Sequence, residues 1–309
     1  MSFLQWFLNF LGVAICSQIL PAKAYLNDRF DGDQIVHIYI GDDKKEKHIT
    51  LQKLSDKFIM EFKSKHVGTE IDYSKGVKVP LDFELPYSPP VLDQGQYGTC
   101  VTFATTSAME AALKWCDVIS QQCTLEYLAG KGINLWNGAS YSSEIIEPLK
   151  EAGVVSNSKC PNAYPKSYAY LTADMYKKLV DRNVSSIQYL YYPSISILDV
   201  KNAIRNGHYV TLGIGLMNTG DAVSVQGYDV KVGGKKYSGG LWACKQGLSF
   251  TSYCGVPKGG HEIVVYGFDD TQKLLKIRNS WSYKAGYMGD FYMTYEFFEA
   301  MVMDGTEIY

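Results

Sequence analysis

One stretch limits what this chain can become: Asp93-Gln94-Gly95-Gln96-Tyr97-Gly98-Thr99-Cys100-Val101-Thr102-Phe103-Ala104. Turn-forming glycines run up to a single cysteine, and an apolar helical periodicity starts at once through Val101, Ala104, Ala108, Met109, Ala112 and Leu113. Cys100 is therefore expected in the first turn of a helix. Unpaired backbone N–H groups and the positive end of the macrodipole favour a thiolate there. That is the setting of a nucleophile. The plainer reading is a buried structural cysteine, and the glycines and the abrupt helix start argue against it.

A thiolate needs a proton partner, and the far end of the chain offers one. Gly259-Gly260-His261-Glu262-Ile263-Val264-Val265-Tyr266-Gly267-Phe268 and Leu275-Lys276-Ile277-Arg278-Asn279-Ser280-Trp281 both read as strands. Antiparallel pairing through a turn at Asp269-Asp270 brings His261, at the start of one, to Asn279, at the end of the other.

Cys, His and Asn in this order, each within its own motif, resemble the papain-like cysteine peptidases. The resemblance rests on Gln94-Gly95-Gln96-Tyr97-Gly98-Thr99-Cys100, Gly260-His261 and Asn279-Ser280-Trp281, and spans about residues 80–300. It implies that Cys100 is the nucleophile and His261 the general base and acid. Asn279 would orient the imidazole, and Gln94 would donate to the oxyanion beside the Cys100 backbone N–H. Trp281 would shield the His261–Asn279 hydrogen bond. The fold it implies is α+β with two lobes, one helical and one an antiparallel barrel-like sheet, and the cleft between them. The chain departs from the family pattern at three places: Tyr97 replaces a usual cysteine, Val101 a usual tryptophan and Ser282 a usual glycine. The distance from Cys100 to His261 exceeds the roughly 130–150 residues expected for this family, which implies an insertion. We place it at 217–260, a Gly-, Tyr- and Lys-rich segment.

Taken in order, residues 1–24 read as a signal peptide: an apolar run from Phe3 to Ile15, then Ala22-Lys23-Ala24 as a small-x-small cleavage pattern, with no Lys or Arg at the start. Residues 25–79 read as a prosegment or an accessory segment. A hairpin is expected from Ile35–Ile40 and Lys47–Thr50 about a turn at Asp42-Asp43-Lys44-Lys45. A helix follows with Leu51, Leu54, Phe58, Ile59 and Phe62 on one face. Pro80, Pro86, Pro89 and Pro90 mark an extended linker into the peptidase-like part at 80–309. Within that part helices are expected at 99–115, 125–134, 142–152, 172–181 and 197–206, and strands at 209–216, 262–268, 273–280 and 289–294. Asn137-Gly138 is expected in a loop before a helix.

With Cys16 removed alongside the leader and Cys100 set aside, five cysteines remain. Cys244 and Cys254 are the preferred disulfide, and two of Cys116, Cys123 and Cys160 are left to pair. There is no Cys-x-x-Cys and no histidine at ligand spacing to a cysteine pair, so neither a metal nor any other cofactor is expected. His37, His48 and His66 read as solvated, and His208 as a helix-end histidine that competes weakly with His261 for the role of base. A net charge of −2 with no basic block gives nucleic-acid binding no electrostatic support. Asn183-Val184-Ser185 is a glycosylation sequon.

The reading is a secreted or otherwise exported cysteine peptidase, monomeric and free of the membrane once its leader is gone, acting on peptide or protein substrates. The alternatives are an acyltransferase or exopeptidase on the same scaffold, or a catalytically idle binding protein.

Overall fold

The computed structural model describes residues 30–40, 46–65, 82–115, 117–134, 138–162, 170–216, 224–232, 235–246, 249–250 and 254–309. The leader at 1–24, the turn at 42–45, the linker residues Val79 and Pro80, His66, Cys116 and Asn137 lie outside them.

The N-terminal part is a hairpin, β1 (Phe30–Ile40) with β2 (Glu46–Leu54), followed by helix α1 (Asp56–Lys65). This corrects one expectation, since Leu51 and Leu54 belong to β2 and not to the helix. The helix starts after Ser55, whose hydroxyl accepts the Phe58 backbone N–H at 3.2 Å, as an N-cap does. Both leucines are fully buried.

After the short strand β3 (Asp82–Glu84) come α2 (Cys100–Leu113), α3 (Gln121–Ala129), α4 (Ser142–Ala152) and α5 (Ala173–Leu179). Helix α2 is buried from Cys100 to Ala111, so it is the central helix of its lobe. Helix α3 begins about four residues before its expected position. Ser120 fixes that start by accepting the Cys123 N–H at 2.9 Å. Cys123 is bonded to Cys160 across this lobe.

The sheet follows: β4 (Tyr189–Tyr192), α6 (Ile197–Arg205), β5 (Tyr209–Leu216), β6 (Ser224–Val232), β7 (Lys235–Gln246), β8 (Ser249–Phe250), β9 (Gly259–Asp269), β10 (Leu274–Arg278), β11 (Asp290–Thr294), α7 (Tyr295–Met301) and β12 (Val302–Ile308). Its main path is β4-β12-β5-β9-β10-β11-β7-β6, and β2 and β3 add to β9. The expected antiparallel pairing holds except between β11 and β7, which run parallel. The segment read as an insertion is thus part of the sheet, and Cys244 at its core is bonded to Cys254.

The pairing of β9 positions the site. Strand β5 covers one edge of β9 from Gly259 to Val265. The other edge is shared: β2 takes Gly259 and Gly260, and β10 takes Val264 onward. His261, Glu262 and Ile263 lie between these two stretches.

Candidate active site

Cys100 is the first residue of α2, reached through a tight turn. Gly95 has φ of 63°, in the left-handed region, and its N–H is received by the Asp93 carboxylate at 3.0 Å. Thr99, at the N-cap, makes no side-chain cap, which leaves the first N–H groups of the helix to the sulfur.

The structure brings His261 and Asn279 together, with Nε2 of the imidazole 2.9 Å from Asn279 Oδ1. That oxygen also accepts the Ser280 backbone N–H at 2.8 Å. A backbone N–H can only donate, so the amide oxygen is fixed in place and Nε2 must carry its proton. In the neutral ring Nδ1 is then the basic atom. Trp281 lies over the imidazole, with ring centroids 4.9 Å apart. Trp242 on β7 packs against both, at 6.2 Å from His261 and 5.6 Å from Trp281. Sequence reading missed Trp242. The parallel β7–β11 pairing that delivers it joins segments about fifty residues apart, and no local pattern announces it.

Gln94 is pinned from the sheet side. Ser280 Oγ donates to its Oε1 at 2.6 Å, and the Gln94 backbone N–H reaches the Ser280 carbonyl at 2.9 Å. One amide N–H goes to the Tyr97 carbonyl at 2.7 Å, and an amide nitrogen has two. Next to it, Ser282 takes φ of 69°, the conformation for which a glycine was expected there, and its N–H is held by the Leu92 carbonyl at 3.0 Å.

The thiol does not follow the acidic expectation. Burial pushes Cys100 up to about 12, and the negative charge of Glu262 adds to the rise. The backbone N–H groups of Glu262, Val101 and Cys100 act the other way and are outweighed. Desolvation wins over the helix end because Cys100 is only 4% exposed. Strand β2 bridges the two sides nearby. Thr50 N–H bonds to the Gln96 carbonyl at 3.0 Å on the cysteine side, and Gln52 and Lys53 pair with Gly260 and Gly259 on the histidine side. Gln52 Nε2 also donates to the Ala139 carbonyl at 3.4 Å. The two glycines make this approach possible. A Cβ on Gly259 would lie 2.8 Å from Ile35 and 3.0 Å from Leu51, and one on Gly260 would lie 2.8 Å from Phe30.

His208 is elsewhere, with Nδ1 2.5 Å from a Glu307 carboxylate oxygen and its ring stacked on Tyr309. It is not a base for Cys100. His48 is exposed, as expected. Among the described residues no group of His, Cys, Asp and Glu is arranged to hold a metal ion.

No protein-family model and no curated protein matches the sequence. Solved structures do. Xylellain, a cysteine protease from Xylella fastidiosa, superposes with a TM-score of 0.53 at 18% identity over 75% of this chain and 86% of that one. Digestive procathepsin L 3 of the Tenebrio molitor larval midgut gives 0.52 at 18% identity, over 84% and 82%. The Carica candamarcensis cysteine protease CMS1MS2, solved with E-64, gives 0.51 at 14%, over 74% and 97%. The chain has the two-lobed α+β fold of the papain-like cysteine proteases.

Proposed function

We propose that this chain is an exported cysteine peptidase whose N-terminal segment restrains it until cut. The observation that carries the reading is the His261–Asn279 pair, with its tautomer fixed by Ser280 and its ring covered by Trp281. In the proposed reaction His261 Nδ1 takes the Cys100 proton and the sulfur attacks the peptide carbonyl carbon. The second amide N–H of Gln94 and the Cys100 backbone N–H receive the oxyanion. Collapse breaks the C–N bond as His261 returns its proton to the leaving amine. Water then hydrolyses the thioester, giving its proton to His261, and frees the acid and the thiol.

The restraint is β2 with its hairpin. Ile49, Leu51 and Leu54 are buried, at roughly 1.5–3 kcal/mol each before ordering costs. Residues 66–81, the tether to the rest of the chain, are the region proposed for the cut. The bonds Cys123–Cys160 and Cys244–Cys254 support export.

The test uses a peptidyl epoxide and a peptide library on protein cut within 66–81. Labelling at Cys100 together with library cleavage, both absent in Cys100→Ala, is expected. Cleavage that survives Cys100→Ala would overturn the assignment.

A further inference from the structure

The proline-rich segment that leads to Gln94, read from the sequence as a linker, is a strap bound to both lobes. Proline has no N–H, so a stretch with Pro86, Pro89 and Pro90 cannot be zipped into a sheet as donor and acceptor alike. Its carbonyls need donors from elsewhere. The Leu92 carbonyl takes the Ser282 backbone N–H at 3.0 Å, and the Pro90 carbonyl takes Ser107 Oγ of α2 at 3.3 Å. The Pro89 carbonyl takes a side-chain donor of Arg278. The strap thus touches the sheet and the central helix before it reaches Gln94, whose own N–H is received by the Ser280 carbonyl.

Arg278 has no place in the reaction above. It is the last residue of β10, is 8% exposed, and pairs in register with Asp290 of β11. A guanidinium is a rigid planar fork of N–H donors. Nε and Nη2 lie 3.0 and 2.9 Å from Asp290 Oδ1, and Nη1 donates to the Pro89 carbonyl. Tyr266 on β9 donates to the same Asp290 oxygen. The ion pair therefore sets the plane of the fork, and the remaining arm meets one carbonyl of the strap. The next residue is Asn279, which holds His261. The end of β10 carries, side by side, the side chain that holds the base and the side chain that holds the strap.

We propose that Arg278 is a positioning residue for the oxyanion site. By holding the Pro89 carbonyl against β10 it fixes the strap that ends at Gln94, and so the amide of Gln94. This rests on the peptidase reading, in which that amide receives the oxyanion. It also sets a limit on maturation: a cut within 66–81 leaves the strap whole, and the strap belongs to the working enzyme.

The experiment compares wild type with Arg278→Lys and Pro89→Gly. Arg278→Lys keeps a cation for Asp290 and loses the fork. Pro89→Gly leaves Arg278 and Asp290 as they are, loosens the strap at the held peptide, and stands in should the lysine variant not fold. In uncut full-length protein, hydrogen exchange of the Gln94 backbone N–H is expected to speed at least about tenfold in each variant. Exchange at Val154, whose N–H is held by the Arg182 carbonyl in the helical lobe, is expected to stay within about twofold. In protein cut within 66–81, kcat is expected to fall about tenfold, the scale of a small misplacement, with KM and the alkylation of Cys100 by iodoacetamide within about twofold. The loss is expected to vanish in a Gln94→Ala background. Gln94 exchange that does not change, or that rises equally with Val154, would overturn the proposal. So would an unchanged kcat, a loss shared equally by alkylation, or a loss that adds in full to Gln94→Ala. The exchange arm needs no turnover, so faster Gln94 exchange beside wild-type cut protein that cleaves nothing would overturn the peptidase reading and leave Arg278 as the holder of the strap.

Discussion

The two halves of the site are built to different degrees of readiness. On the sheet side, His261, Asn279 and Trp281 are locked by strand pairing, a backbone donor and two indole rings. On the helix side, Cys100 stands at a helix end that should activate it, yet burial and the charge of Glu262 push its thiol the other way. In the proposed reading the base is finished and the nucleophile is held back. The halves are stitched together where Ser280 holds Gln94 and Asp93 bridges to Trp281. Restraint in such a site need not distort geometry, because changing the solvation of one atom is enough.

Predictions that would break or sharpen this contrast run from large to small. Gln94→Ala should lower the turnover of cut protein by about 10²–10³-fold while alkylation of Cys100 by a small reagent changes little. Equal losses in both assays would mean that Gln94 shapes the nucleophile itself and not the oxyanion site. Leu51→Asp places an unpaired charge at a position with 0% exposure and should dislodge β2. Basal turnover of uncut protein should rise roughly 10–100-fold, the scale of losing a few kcal/mol of docking energy. Unchanged basal turnover would separate the hairpin from the restraint.

Ser280→Ala removes the hydroxyl that links the halves and should cost about tenfold or less, the worth of a net hydrogen bond. Its effect should largely vanish in a Gln94→Ala background, and full additivity would show that the two do not act as a unit. His208→Ala should leave turnover within about twofold, since that ring serves Glu307 and Tyr309. A large loss there would reopen the choice of base.

Much of this site was legible because its parts are local. The glycine turn before Cys100, the helix at 142–152 and the strand at 209–216 each carry their pattern within a dozen residues, and the structure places the latter two at the expected bounds. What sequence reading lost was non-local. Leu51 and Leu54 are three apart and imitate a helical stripe, although both belong to β2. Trp242 depends on a parallel pairing across sequence, and β4 and β12 pair from segments over a hundred residues apart.

The most direct test of the restrained-peptidase account measures turnover of one peptide substrate by the same preparation before and after a single cut within residues 66–81, with Cys100→Ala carried in parallel. The account predicts little turnover in uncut protein, a rise of at least about 100-fold after cutting and dilution, equivalent to roughly 2.7 kcal/mol of relieved restraint, and none in Cys100→Ala. Equal turnover before and after the cut, or turnover that persists without Cys100, would contradict it.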